Sequence, residues 1–247
     1  MGILPLDQLT ELIDGVASAD DLMVAMIGLC ATLGARCFAI THHVDVARET
    51  HPMRLHNYPD RWAEFYDINA LGLSDPVHRA SHKTSIGFRW SRMPAMIPLT
   101  ASDLKVLELG REQGIGDGFT VPANVPGEAR GSCSFANEAG TSLADEMLPA
   151  AQLAGAFAFE TARRLWRVRT LDTEEQPVLT DRQRDCVLLA ARGKTDGEIA
   201  QLLSVSAETV AVHIKNACER YGVYKRSSLM IRTLFDGTFT FSDIFRR

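Results

Sequence analysis

From Val178 onward the chain is punctuated by helix starts, and no other feature limits its folding as much. Thr180 precedes Gln183 by three positions, so its hydroxyl can accept from the Gln183 N–H while the Gln183 side chain returns a bond to the Thr180 N–H. Thr195 and Glu198 repeat this capping box directly after Gly193-Lys194, opening a helix expected to turn Ile199, Leu202 and Leu203 inward. Ser204-Val205-Ser206 then reads as a tight turn, with Ser206 capping a third helix from Ala207 to about Tyr221. Two short helices joined in this way predict a helix-turn-helix, whose second helix enters the DNA major groove.

The register of the third helix sorts its residues. At about 100° per residue, Val210, Ile214, Ala217 and Cys218 form one apolar stripe, while Glu208, Thr209, Val212, Lys215, Asn216 and Glu219 point the other way. Lys suits guanine or phosphate, Asn suits adenine, and the methyls of Val and Thr suit thymine. Lys194, Lys225 and Arg226 are placed to anchor backbone phosphates. The candidate DNA-binding set is therefore Lys194, Thr209, Val212, His213, Lys215, Asn216, Lys225 and Arg226. Charge agrees: residues 178–247 hold 11 Lys+Arg against 8 Asp+Glu, whereas the preceding residues hold 15 against 23. Only the rear of the chain suits a polyanion.

The front reads as mixed α+β. Pro5 to Val16 has helical spacing, and Ser18 opens a second helix, Leu22 to Leu33, stopped by Gly34. Arg36 to His42 and Met53 to His56 are strand-like. Pro59, in a first helical turn, starts a helix that sets Trp62, Phe65, Tyr66 and Asn69 on one side. A short helix begins at Asp75-Pro76, Ile86 to Trp90 is an expected strand, and Ser102 to Gln113 is a helix ended by Gly114. Two strands, Phe119 to Asn124 and Gly131 to Asn137, precede a long apolar helix from Leu148 to Val168. The expected architecture is an N-terminal α-β-α sandwich on a mainly antiparallel sheet, plus a C-terminal all-α helix-turn-helix domain. The boundaries are 1–170 for the first, 171–177 (LDTEEQP) for a polar linker and 178–247 for the second.

Composition excludes other classes. No uncharged apolar run approaches the ~18 residues of a membrane span. Acidic residues near Met1 and the lack of a basic n-region speak against a secretory signal, so the expected compartment is the cytoplasm. The five cysteines are scattered without a CxxC pair and read as buried apolar residues. Thr41-His42-His43-Val44-Asp45 is a poor metal site, because adjacent histidines at a strand end point to opposite faces. Cys133 alternates with Ser134 on one strand, so only one of them can face a pocket, and no catalytic role or cofactor is expected.

The run from Leu179 to Val223 closely resembles the LuxR/NarL-type output domain over about 45 residues without a gap. Gln183, Val187 and Ala211 depart from that pattern, the last by removing a Lys that contacts DNA. In the front, Tyr58-Pro59-x-x-Trp62-x-x-x-Tyr66, Asp75-Pro76, Trp90, Gly114-x-x-x-Gly118 and Ser134 resemble the acyl-homoserine-lactone-binding domain of LuxR-type quorum-sensing receptors. The resemblance implies that the ligand-binding set is Tyr58, Trp62, Tyr66, Asp75, Pro76, Trp90, Gly118 and Ser134. It implies an indole N–H of Trp62 on the lactone carbonyl, the Asp75 carboxylate on the amide N–H, and Tyr58 and Ser134 hydroxyls on the amide carbonyl. Tyr66 and Trp90 are then walls, and Gly118 leaves room. It also implies a homodimer on an inverted-repeat DNA site and contact with RNA polymerase. A ligand-independent DNA-binding protein, or a receptor for a non-lactone signal, are the alternatives.

Overall fold

The computed structural model describes residues 15–43, 53–69, 71–125, 129–169 and 177–245. The expected Pro5 helix, up to position 14, and the LDTEEQP segment, up to position 176, lie outside these. The chain divides into two units, one ending at Leu171 and the other running from Asp172.

In the first unit, α1 (Ala19–Leu33) starts where Ser18 accepts from the Asp21 N–H and stops at Gly34, whose φ of 74° is the left-handed conformation. β1 (Cys37–His42), β2 (Arg54–His56), β3 (Phe88–Arg89), β4 (Asp117–Ala123) and β5 (Gly131–Asn137) form one sheet in the order β2-β1-β5-β4-β3. Every pairing in it is antiparallel. Alternation along the strands separates two faces. Phe38, Ile40, Val121, Cys133 and Phe135 face a core built with Leu22 and Met26 of α1 and with Phe159 of α6 (Leu148–Arg169). Full burial of such side chains stabilises by about 1.5–3 kcal/mol each. The other face carries α2 (Asp60–Ile68), α3 (Pro76–Ser81), α4 (Met93–Met96) and α5 (Ala101–Glu112), with Trp62, Val106 and Ile115 against Cys37 and Ala136. This is the expected α-β-α sandwich.

Two local expectations need correction. Pro59 is not in the first turn of α2; it precedes it at the cap, with ψ of 136°. Of the expected strand Ile86 to Trp90 only Phe88–Arg89 pairs. Thr84 accepts from the Ile86 N–H, the Gln152 side chain takes the Gly87 N–H, and Trp90 begins a 3₁₀ turn, so both ends are drawn off the ladder.

The second unit is all helical: α7 (Asp181–Ala191), α8 (Asp196–Leu203), α9 (Ala207–Arg220), α10 (Arg226–Phe235) and α11 (Phe241–Phe245). Both capping boxes form in full, and Ser206 accepts from the Thr209 N–H. Ser204 makes the turn between α8 and α9 with φ of 56°, in the left-handed region. Leu202 does not turn inward and is 59% exposed. Ile199, Ala200 and Leu203 centre the apolar arc of α8, and at 100° per residue Leu202 falls about 110° from that centre. Gln183 and Val187, departures from the family pattern, are both buried, Gln183 as the capping partner of Thr180. The C-terminal segment closes the core: Phe239 is buried beneath the Arg184 guanidinium, 4.8 Å from its ring, whereas Phe241 and Phe245 stack on each other outside.

Candidate functional site

A cavity of about 90 Å³ lies between the polar face of the sheet and the layer of α2, α3 and α5. Six of the eight expected ligand residues line it: Tyr58, Trp62, Tyr66, Asp75, Trp90 and Ser134. Pro76 and Gly118 do not. Pro76 is buried at the first position of α3, where its missing N–H costs nothing. Gly118 stands behind Trp90: a Cβ there would lie 2.6 Å from Trp90 Cε2 and 2.8 Å from the Phe135 carbonyl oxygen. It admits the indole to its place.

Asp75 does two jobs through its two oxygens. Oδ1 accepts from the Val77 N–H at 2.7 Å and so caps α3, and Oδ2 accepts from the Tyr66 hydroxyl at 2.7 Å. An ionised carboxylate has about four acceptor sites, so capacity remains for a ligand N–H. Tyr66, expected to be a wall, is therefore also a hydrogen-bonding support that holds the carboxylate. Burial and the neighbouring Asp75 push the Tyr66 phenol far up, so it stays a donor. Burial does the same for Tyr58. Among the described residues the Tyr58 hydroxyl and the Trp62 indole N–H have no hydrogen-bond partner, although the Trp62 ring is fixed at 5.8 Å from Tyr66.

Thr120 was not among the sequence candidates. Trp90 Nε1 donates to its hydroxyl at 2.8 Å, and that hydroxyl lies 2.8 Å from Ser134 Oγ. Thr120 is fully buried, and these two are its side chain's partners, so its single proton is satisfied only by pointing at Ser134. Ser134 then accepts from Thr120 and keeps its own proton for the cavity. Strand alternation from Gly118 was the available signal. His56 and His78 also line the cavity and were missed. His78 stacks on His43 at 3.7 Å, and His43 bridges His82 Nε2 at 2.8 Å and Ser132 Oγ at 2.9 Å. Burial, reinforced by His78 and His82, holds His43 well below the usual imidazole range, and burial with Arg130 pushes His82 down to about 4. His42 also borders the cavity, with its ring centre 5.7 Å from that of Phe159. Among the described residues no cluster could hold a metal ion. Cys133 lies on the core face, fully buried, with its thiol pushed far up by burial.

In the second unit Val210, Ile214, Ala217 and Cys218 are buried as the register requires. Thr209, Val212, Lys215 and Asn216 are exposed on the opposite side of α9, and His213 is half-buried between them. Lys215 is 3.8 Å from Glu219, a loose pair with both side chains in solvent. Lys225 is exposed, and Lys194 pairs with Glu198 at 3.4 Å. Arg226 differs from the other basic residues. Its guanidinium binds the Asp196 carboxylate and the Lys194 carbonyl oxygen, tying the start of α10 to the start of α8.

A mainly apolar cavity ringed by a few hydrogen-bonding groups in one unit and an exposed helix of a helix-turn-helix in the other define a ligand-responsive DNA-binding regulator. Residues 18–162 match the autoinducer binding domain family, and residues 177–233 match the luxR family of bacterial regulatory proteins. The chain belongs to the LuxR family, as an autoinducer-binding transcriptional regulator. It is 29% identical over 182 residues to the transcriptional activator AhyR of Aeromonas hydrophila, covering 72% of this chain and 70% of that one. It is 26% identical over 226 residues to VanR of Vibrio anguillarum, covering 90% and 92%. Its fold is similar to the crystal structure of Escherichia coli SdiA, with a TM-score of 0.68, 21% identity and coverage of 94% and 96%. Among the described residues no helix is long and apolar enough to cross a membrane.

Proposed function

We propose that the autoinducer of this regulator is an N-acyl-homoserine lactone, held by the front unit. The observation that carries this reading is the set of unspent hydrogen-bonding groups around one cavity: the Trp62 and Tyr58 donors, the Ser134 proton and the spare lone pairs of Asp75. Such a lactone needs a donor for its ring carbonyl, an acceptor for its amide N–H and donors for its amide carbonyl, with apolar wall for the rest. Trp62, Asp75, and Tyr58 with Ser134 supply these in that order, and Trp90 and Tyr66 complete the walls. Pro76 and Gly118 serve by placing Asp75 and Trp90.

The regulator acts in the cytoplasm as a homodimer, with 171–177 as the linker between 1–170 and 178–247. Two copies of α9 read an inverted-repeat DNA site through Thr209, Val212, His213, Lys215 and Asn216. Lys194, Lys225 and Arg226 hold phosphates, and RNA polymerase is the downstream partner. No catalysis is assigned. Trp62→Phe tests the pocket, since it keeps the apolar wall and deletes one donor. Lactone affinity is expected to fall about tenfold, as for one hydrogen bond of ~1.4 kcal/mol. Unchanged affinity in a calorimetric titration would make Trp62 a packing residue only.

A further inference from the structure

We propose that His56 reads an oxygen on the acyl chain of the ligand, so that the chain selects lactones oxygenated at the third carbon over unsubstituted ones. This rests on the lactone reading above. His56, Ala39, Ser134 and Thr120 form a single rung across β2, β1, β5 and β4. Residues opposite one another in antiparallel strands project to the same side, so all four share the cavity face of the sheet. Thr120 spends its proton on Ser134, whereas His56 Nδ1 is buried with no hydrogen-bond partner. Its neighbours do not supply one: Arg54 is engaged by Asp67, and the Tyr58 ring stands 5.9 Å away.

Burial keeps this imidazole neutral against the opposing pull of Asp67 and Asp60, with Arg54 acting in the same direction as burial. A neutral imidazole carries one N–H and one lone pair. A proton on the enclosed Nδ1 would be stranded, so the proton belongs on Nε2, and His56 meets the cavity as a donor. Its partner must then be an oxygen acceptor. At about 4.8 Å per strand, His56 and Ser134 are about 10 Å apart at the backbone, with only the methyl of Ala39 between them. An acyl chain leaving an amide carbonyl at Ser134 crosses that open floor, and a keto or hydroxyl oxygen at its third carbon is the first acceptor it brings toward His56.

The test is calorimetric titration of the full-length chain with octanoyl- and 3-oxo-octanoyl-homoserine lactone. The wild type is expected to favour the 3-oxo ligand about tenfold, the effect of one hydrogen bond. In His56→Phe the two should bind alike, and a cooperative thermal transition shows that the variant is folded. His56→Gln, which keeps a donor, should retain part of the preference. Equal binding by the wild type, or an intact preference in His56→Phe, overturns the assignment of His56 alone. If neither lactone binds the wild type, the lactone reading itself fails.

Discussion

The Trp90 indole N–H ends on the Thr120 hydroxyl at 2.8 Å, and through it the orientation of a different residue is set. Because Thr120 accepts from Trp90 and has Ser134 as its other partner, its proton goes to Ser134, and the Ser134 proton is left for the cavity. Thr120→Val removes this polarity without removing any group that meets a ligand. Ligand affinity is expected to fall several-fold in the wild-type background and not at all in a Ser134→Ala background. A double-mutant cycle checks this, and equal effects in both backgrounds would reduce Thr120 to packing.

Asp75 joins the stability of α3 to ligand binding. Asp75→Ala should cost about 1 kcal/mol of stability through the lost cap on Val77 and also abolish the response to ligand. Asp75→Asn keeps an acceptor and should be milder in both respects. Tyr66→Phe frees Oδ2 without touching the cap, so affinity should drop while the thermal midpoint moves little. Wild-type sensitivity in Asp75→Ala would refute the placement of the ligand amide.

How much of this was readable beforehand follows from where the information sits. The caps at Ser18, Thr180, Thr195 and Ser206 are local, three residues from partner to partner, and the sequence exposes them directly. Thr100 and Asp103 form a capping box of the same kind that opens α5 one residue before its expected start, and the same spacing would have found it. Trp62, Asp75 and Trp90 could be picked out by residue type. Thr120 could be reached only by alternation from Gly118 along β4, and His56 not at all, because its meaning comes from cross-strand register with Ala39 on another strand. The tie of Arg226 to Asp196 was hidden for the same reason, since the two lie 30 residues apart in sequence.

The histidine group beside the cavity gives the first unit an acid sensitivity. His82 titrates at about 4 in the fold and His43 well below the usual range, both mainly through burial, whereas unfolded histidines take up protons near pH 6.5. Between those limits the unfolded chain binds more protons than the folded one, so stability is full above about pH 6.5 and falls as the pH drops toward 4. Thermal midpoints should therefore decline across this window, and less steeply in His82→Gln. Parallel curves for the two proteins would show that these rings do not carry the effect.

Ser204 holds the turn of the helix-turn-helix in a left-handed conformation that a side chain resists. Ser204→Gly should relieve about 1 kcal/mol of that resistance, offset in part by the greater freedom of glycine in the unfolded chain. The expected net is a small gain in stability of the second unit with DNA binding retained, measured by denaturant titration. A loss of stability would mean that the serine side chain contributes more than its backbone costs.

Lys215 and Ile214 are adjacent in sequence and opposite in role. Lys215 is 76% exposed at its side chain, held only loosely by Glu219, whereas Ile214 is buried with Val210 and Ala217. Lys215→Ala should weaken operator binding and leave ligand binding and the thermal midpoint nearly unchanged. Ile214→Ala should destabilise the second unit by about 2–5 kcal/mol, as other buried aliphatic truncations do. The salt dependence separates two ways in which Lys215 can act. If it meets a phosphate, its removal lowers the salt slope by about one and weakens all DNA sequences alike. If it reads a base, the loss is confined to the cognate site. Operator binding by Lys215→Ala as tight as wild type would take the exposed face of α9 out of the DNA contact altogether.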